Sequence, residues 1–99
     1  MHARVTTIKG PPESVDQATQ VVRDQVLPRA RELPGFKGIL SLGDRETGRG
    51  LSVTLWESEE AMRASDEAAD AMRGQAVGAI EGSEVVSVDR YEVTIDERS

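Results

Sequence analysis

The chain contains no cysteine, which excludes disulfides, a thiolate nucleophile and any thiolate metal site. Its single histidine, His2, stands beside the N-terminus with no partner pattern around it. A Ser-His-Asp triad or a histidine-based metal site therefore has no residues to build on. Aromatics are equally scarce, with one Phe, one Trp and one Tyr: Phe36, Trp56 and Tyr91. No apolar run approaches the roughly 20 residues of a membrane-spanning helix, and nothing apolar follows Met1-His2-Ala3-Arg4 in the manner of a secretory signal. No membrane association and a cytoplasmic location are the expectations. Cations are outnumbered, 12 Lys plus Arg against 18 Asp plus Glu, for a formal net charge of −6. The bases are scattered singly, so phosphate backbones are not expected partners.

What is present fits one domain spanning residues 1–99. β-branched residues in Ala3–Ile8 predict a first strand, with Ala3, Val5 and Thr7 on one face and Arg4, Thr6 and Ile8 on the other. Gly10-Pro11-Pro12 ends it. Val15, Ala18, Val22 and Val26 then recur at helical spacing, and Pro28 predicts a kink or an end to that helix. Leu33-Pro34-Gly35-Phe36 turns the chain into a second strand. Apolar residues on both of its faces predict an internal position. A polar turn, Gly43–Gly48, leads to a third strand from about Gly50 to Trp56, with Leu51, Val53 and Leu55 on one face and Ser52, Thr54 and Trp56 on the other. Ser58 is a natural N-cap for an alanine-rich second helix with Met62 and Met72 on its inner side, and Gly82 stops it. A long last strand is expected from about Glu84 to Ile95.

The order β-α-β-β-α-β predicts an α+β, ferredoxin-like split β-α-β fold: a four-stranded antiparallel sheet with two helices on one face. The other sheet face carries apolar residues but has no layer of its own. Two chains packed sheet against sheet, a homodimer, would cover it.

Leu33-Pro34-Gly35-Phe36, Gly48–Leu51 and Val53-Thr54-Leu55-Trp56-Glu57-Ser58-Glu59-Glu60-Ala61 resemble the antibiotic biosynthesis monooxygenase superfamily of dimeric α+β barrels. The resemblance spans nearly the whole chain. It implies a cofactor-independent monooxygenase, with no cofactor and no metal, acting on a small aromatic or quinol substrate. In related proteins Trp, Tyr, Arg and Asn bind the ring and stabilise its anion. Here Trp56, Tyr91, Arg90 and Arg49 are the candidates for catalysis, and Phe36, Trp56, Met62 and Met72 for the pocket lining. The haem-degrading branch uses an Asn on the first strand and a Trp and a His on the second helix. This chain has no Asn, and those two helix positions fall at Ser65 and near Gln75, so the resemblance does not extend to haem degradation.

Read from the residues themselves, Trp56 closes the gap between strand three and the helices, and Tyr91 shares a strand face with Val93 and Ile95 as core or interface. Met62 and Met72 are adaptable filling. Glu57, Glu59 and Glu60 favour the positive end of the helix dipole. Two functions stay open at this point: an oxygenase with a pocket between helices and sheet, and a non-enzymatic dimer of the same shape that binds a small ligand or serves a structural role. An isomerase or decarboxylase on this scaffold would need an ionisable group in the cavity, which the pattern does not supply.

Overall fold

β-branched and apolar residues at alternate positions form four strands, and two helical connections cross one face of the sheet they make. The computed structural model describes residues 1–98. In chain order they form β1 (His2–Lys9), α1 (Val15–Val21), α2 (Leu27–Ala30), β2 (Phe36–Gly43), β3 (Arg49–Trp56), α3 (Glu59–Ala64), α4 (Asp66–Gly78) and β4 (Glu84–Glu92). A short 3₁₀ turn, Pro12–Ser14, precedes α1. The sheet order is β2-β3-β1-β4 with every pairing antiparallel. This is the ferredoxin-like α+β arrangement expected from the element order.

Four details differ from the sequence-based expectations. β2 is an edge strand, not an internal one. Two helical crossovers place β1 and β3 in the centre, and the β2–β3 hairpin leaves its first strand outside. The first helical connection does not end at Pro28 but runs on to Ala30. Val22–Val26 forms a wider π turn in which the Leu27 N–H reaches back to the Val22 carbonyl. That added residue accommodates a proline ring that would meet the Asp24 carbonyl in a regular helix. The second helix is two helices parted at Ser65, whose hydroxyl donates 2.6 Å to the Met62 carbonyl and competes with the helical ladder. Finally, β4 ends at Glu92 rather than Ile95. Its partner β1 begins at His2, paired with Glu92, so the ladder runs out, leaving one bond from the Val93 N–H to the Met1 carbonyl.

Two glycines fix the connections. Gly48 has φ +80°, and a Cβ there would lie 1.9 Å from the Gly10 carbonyl oxygen. Gly35 has φ +79° and sits against Ala61. Neither position accepts a side chain.

Directly opposed residues in an antiparallel ladder share a face. The registers therefore put Arg4, Thr6, Ser52, Thr54 and Trp56 beneath the helices. Val5, Val53, Leu40 and Tyr91 belong to the helix-free face. The usual pattern is inverted: hydroxyls and a cation lie under the helices, and much of the aliphatic surface points away from them. The helices contribute apolar cover from Val21, Ala30, Met62, Ala69 and Met72, all buried.

Candidate active site

Because β1 and β3 present polar side chains to a layer of small and flexible helical ones, the helix–sheet gap is incompletely filled. Two adjoining hollows remain, of about 60 and about 80 Å³. They share Ile8, Val22, Ser52 and Ala76 as walls. Neither alone matches the about 150 Å³ of an apolar cavity that takes benzene, although the two together come close.

The smaller hollow is the chemically furnished one. Thr6, Ser52 and Thr54 supply hydroxyls, Trp56 an indole, Val22, Val26 and Met72 apolar surface, and Arg4 and Arg73 positive charge. Trp56 is 1% exposed. Its indole N–H donates to the Thr54 hydroxyl at 2.9 Å, which fixes the ring plane. Phe36 meets it edge-on, with centroids 5.6 Å apart at 73°. The Arg4 guanidinium lies over the same ring, its carbon 5.5 Å from the centroid. Trp56 thus joins the end of β3 to β1 and β2 while one part of it walls the cleft.

Arg4 is the residue that sequence reading missed. It is 2% exposed. Nη2 donates to the Met62 carbonyl (2.7 Å), the Ser65 hydroxyl (3.0 Å) and Asp66 Oδ1 (2.5 Å). Asp66 also pairs with Arg90 at 3.1 Å. Burial pushes the Arg4 pKa below the ordinary guanidinium value, against the opposing pull of Asp66. Desolvation raises the Asp66 pKa, but hydrogen bonds and charge from Arg4 and Arg90 outweigh it and hold the carboxyl below the usual range. The one available signal was a base on the face of β1 shared by Thr6 and Ile8, the face that must meet the helices.

The sequence candidates are distributed as follows. Trp56 and Met72 line the furnished hollow. Phe36 supports Trp56 from behind, and Met62 is buried with its carbonyl under Arg4. Arg90 reaches the cluster through Asp66. Arg49 edges the larger hollow. Tyr91 stands on the helix-free face, 56% exposed, on the far side of the sheet from Trp56. Ser65 and Gln75, the positions compared with the haem-degrading branch, accept hydrogen bonds from Arg4 and Arg29. No group of three His, Asp or Glu side chains suited to a metal ion occurs among the described residues.

Comparison with known proteins defines the fold. No family model matches the chain. The fold is that of the antibiotic biosynthesis monooxygenase structures. HapK from Hahella chejuensis superposes with a TM-score of 0.73 at 15% identity, covering 100% of this chain and 98% of HapK. The ActVA-Orf6 monooxygenase of Streptomyces coelicolor, in complex with nanaomycin D, gives 0.69 at 19% identity over 98% of this chain and 92% of that one. The haem degrader MhuD of Mycobacterium tuberculosis, with two haems in its active site, gives 0.68 at 22% identity over 99% and 100%. In sequence, the chain is 38% identical over 95 residues to the uncharacterised protein Rv2558 of Mycobacterium tuberculosis. That match takes in 96% of this chain but 39% of Rv2558, so the chain spans about two-fifths of the length of the curated relatives it matches. Among the described residues no helix is long and apolar enough to cross a membrane.

Proposed function

We propose that the chain is a cofactor-independent monooxygenase acting on a small aromatic or quinol substrate in the cleft between helices and sheet. One observation carries this reading: hydroxyls, an indole and a buried arginine occupy the helix-covered side of the sheet, where packing alone would place aliphatic groups. The substrate ring lies against Trp56, and Arg4 stabilises the anion formed when a ring hydroxyl ionises. That anion donates electrons to O₂. In an anthrone-type ring one oxygen atom enters the CH₂ position as a carbonyl; in a quinol it enters a ring C–H as a hydroxyl and the product is the hydroxyquinone. In both cases the other oxygen leaves as water and the four electrons come from the substrate. In this reading the residues act as one domain, and a homodimer forms through the helix-free face, where Leu40 and Tyr91 stand exposed. Arg90 positions Arg4 through Asp66, Arg49 borders the cleft's second chamber, and Tyr91 belongs to the dimer contact. Haem degradation is disfavoured, since α4 carries no histidine.

A second reading, a non-enzymatic ligand-binding dimer, is favoured by one feature: among the described residues no Asp, Glu or His lines the furnished hollow, so proton removal has no side-chain base there. Oxygen uptake with anthrones and quinols, measured against spontaneous autoxidation, separates the two. Uptake above background without added cofactor, reduced in Trp56→Ala, supports the oxygenase. Uptake at the background rate for every substrate, with ligands still bound, makes the chain a binding protein.

A further inference from the structure

We infer that the ligand of this cleft carries a carboxylate in addition to its ring, recognised by Arg4 and Arg73. The inference rests on the reading of the cleft as a ligand site and names the substrate class that site selects. In a chain of net charge −6, the only charged side chains lining the furnished hollow among the described residues are two arginines, and no acid of those residues lines it. Their own partners lie outside: Asp66 is shared between Arg4 and Arg90, and the partner of Arg73, Asp70, is 83% exposed. Three arginines, Arg4, Arg73 and Arg90, thus share two carboxylates, which leaves one positive charge uncompensated beside the cleft.

Arg4 adds an independent observation. All three of its protein hydrogen bonds fall on Nη2, while Nε is sealed from solvent with no acceptor. The remaining guanidinium nitrogen, Nη1, makes none of these bonds, so its N–H groups are left for an oxygen of a bound ligand. The grip of Met62, Ser65 and Asp66 on Nη2 orients the guanidinium before any ligand arrives. A carboxylate is the matching group for the binding step because it is already ionised when it arrives at neutral pH, whereas a phenol, titrating near 10, arrives neutral.

The test uses the single Trp56 indole N–H resonance of isotope-labelled protein, titrated at neutral pH with benzoate, benzamide and phenol. Benzoate is expected to bind about tenfold more tightly than either neutral ring. Arg73→Gln, at the cleft edge, should weaken benzoate at least threefold and leave benzamide unchanged. Arg4→Met should erase the benzoate preference; if that variant does not fold, wild type and Arg73→Gln decide. Benzamide or phenol binding as tightly as benzoate overturns the carboxylate and leaves the cleft reading standing. No saturable shift with any of the three overturns both. A benzoate preference that survives both arginine substitutions overturns the assignment to these residues.

Discussion

Replacing Trp56 by Ala tests the junction on which fold and cleft both depend. The side chain is 1% exposed and touches Phe36, Arg4 and Thr54. Truncating a buried tryptophan typically costs about 3–5 kcal/mol, out of roughly 5–15 kcal/mol for a whole domain. At about 4–8 °C per kcal/mol for a domain of this size, the midpoint should fall by roughly 12–40 °C. Trp56→Phe keeps most of the packing. It loses the bond to Thr54, about 1 kcal/mol, and part of the attraction for Arg4, so about 1–2 kcal/mol in all. Because the chain has one tryptophan, urea unfolding must be followed by far-ultraviolet circular dichroism for all three proteins. Added indole should partly restore the midpoint of the alanine variant by refilling the void, and should leave wild type less affected. A cost below about 1 kcal/mol for Trp56→Ala, or no rescue by indole, would refute the description of Trp56 as the packed wall of the cleft.

Three other perturbations probe separate parts of the molecule. Gly48→Ala forces a side chain into a left-handed backbone and onto the Gly10 carbonyl; thermal denaturation should show a loss of more than about 2 kcal/mol, and a neutral result would mean that this turn is not held as described. The Asp66 carboxyl is held below its ordinary pKa, so its share of stability is present above about pH 4 and disappears as pH falls through the lowered folded value. Asp66→Asn should therefore be less stable than wild type at neutral pH and indistinguishable from it in strong acid, and a gap unchanged across that range in urea titrations would contradict the pairing. For the helix-free face, Leu40→Lys should convert the proposed dimer to monomer in sedimentation velocity with the circular dichroism spectrum retained, and an unchanged sedimentation coefficient would place any interface elsewhere.

Sequence legibility differed sharply between fold and site. Period-2 alternation in β1 and β3, the Ser58 cap, which does accept from the Ala61 N–H, and the glycine turns are local signals, and each marked its element. The wide turn before Pro28 and the break at Ser65 were not legible, because each depends on how one carbonyl is satisfied rather than on side-chain pattern. The alternation also separated Ser52, Thr54 and Trp56 from Leu51, Val53 and Leu55. It did not say which set the helices would cover, and the apolar set is the natural choice for a core.

Composition and periodicity by themselves determined the order of elements, the α+β class, and the absence of thiolate chemistry, since these follow from residue type and from contacts close along the chain. Tertiary structure alone decided the cleft. Arg4 lies 58 to 62 residues from the groups that hold it. Only the packing of α3 and α4 over β1 brings Met62, Ser65 and Asp66 to its guanidinium. The same packing separates Tyr91 from Trp56, because an antiparallel register assigns every side chain to one face of the sheet, and that assignment is a property of paired strands rather than of any single one.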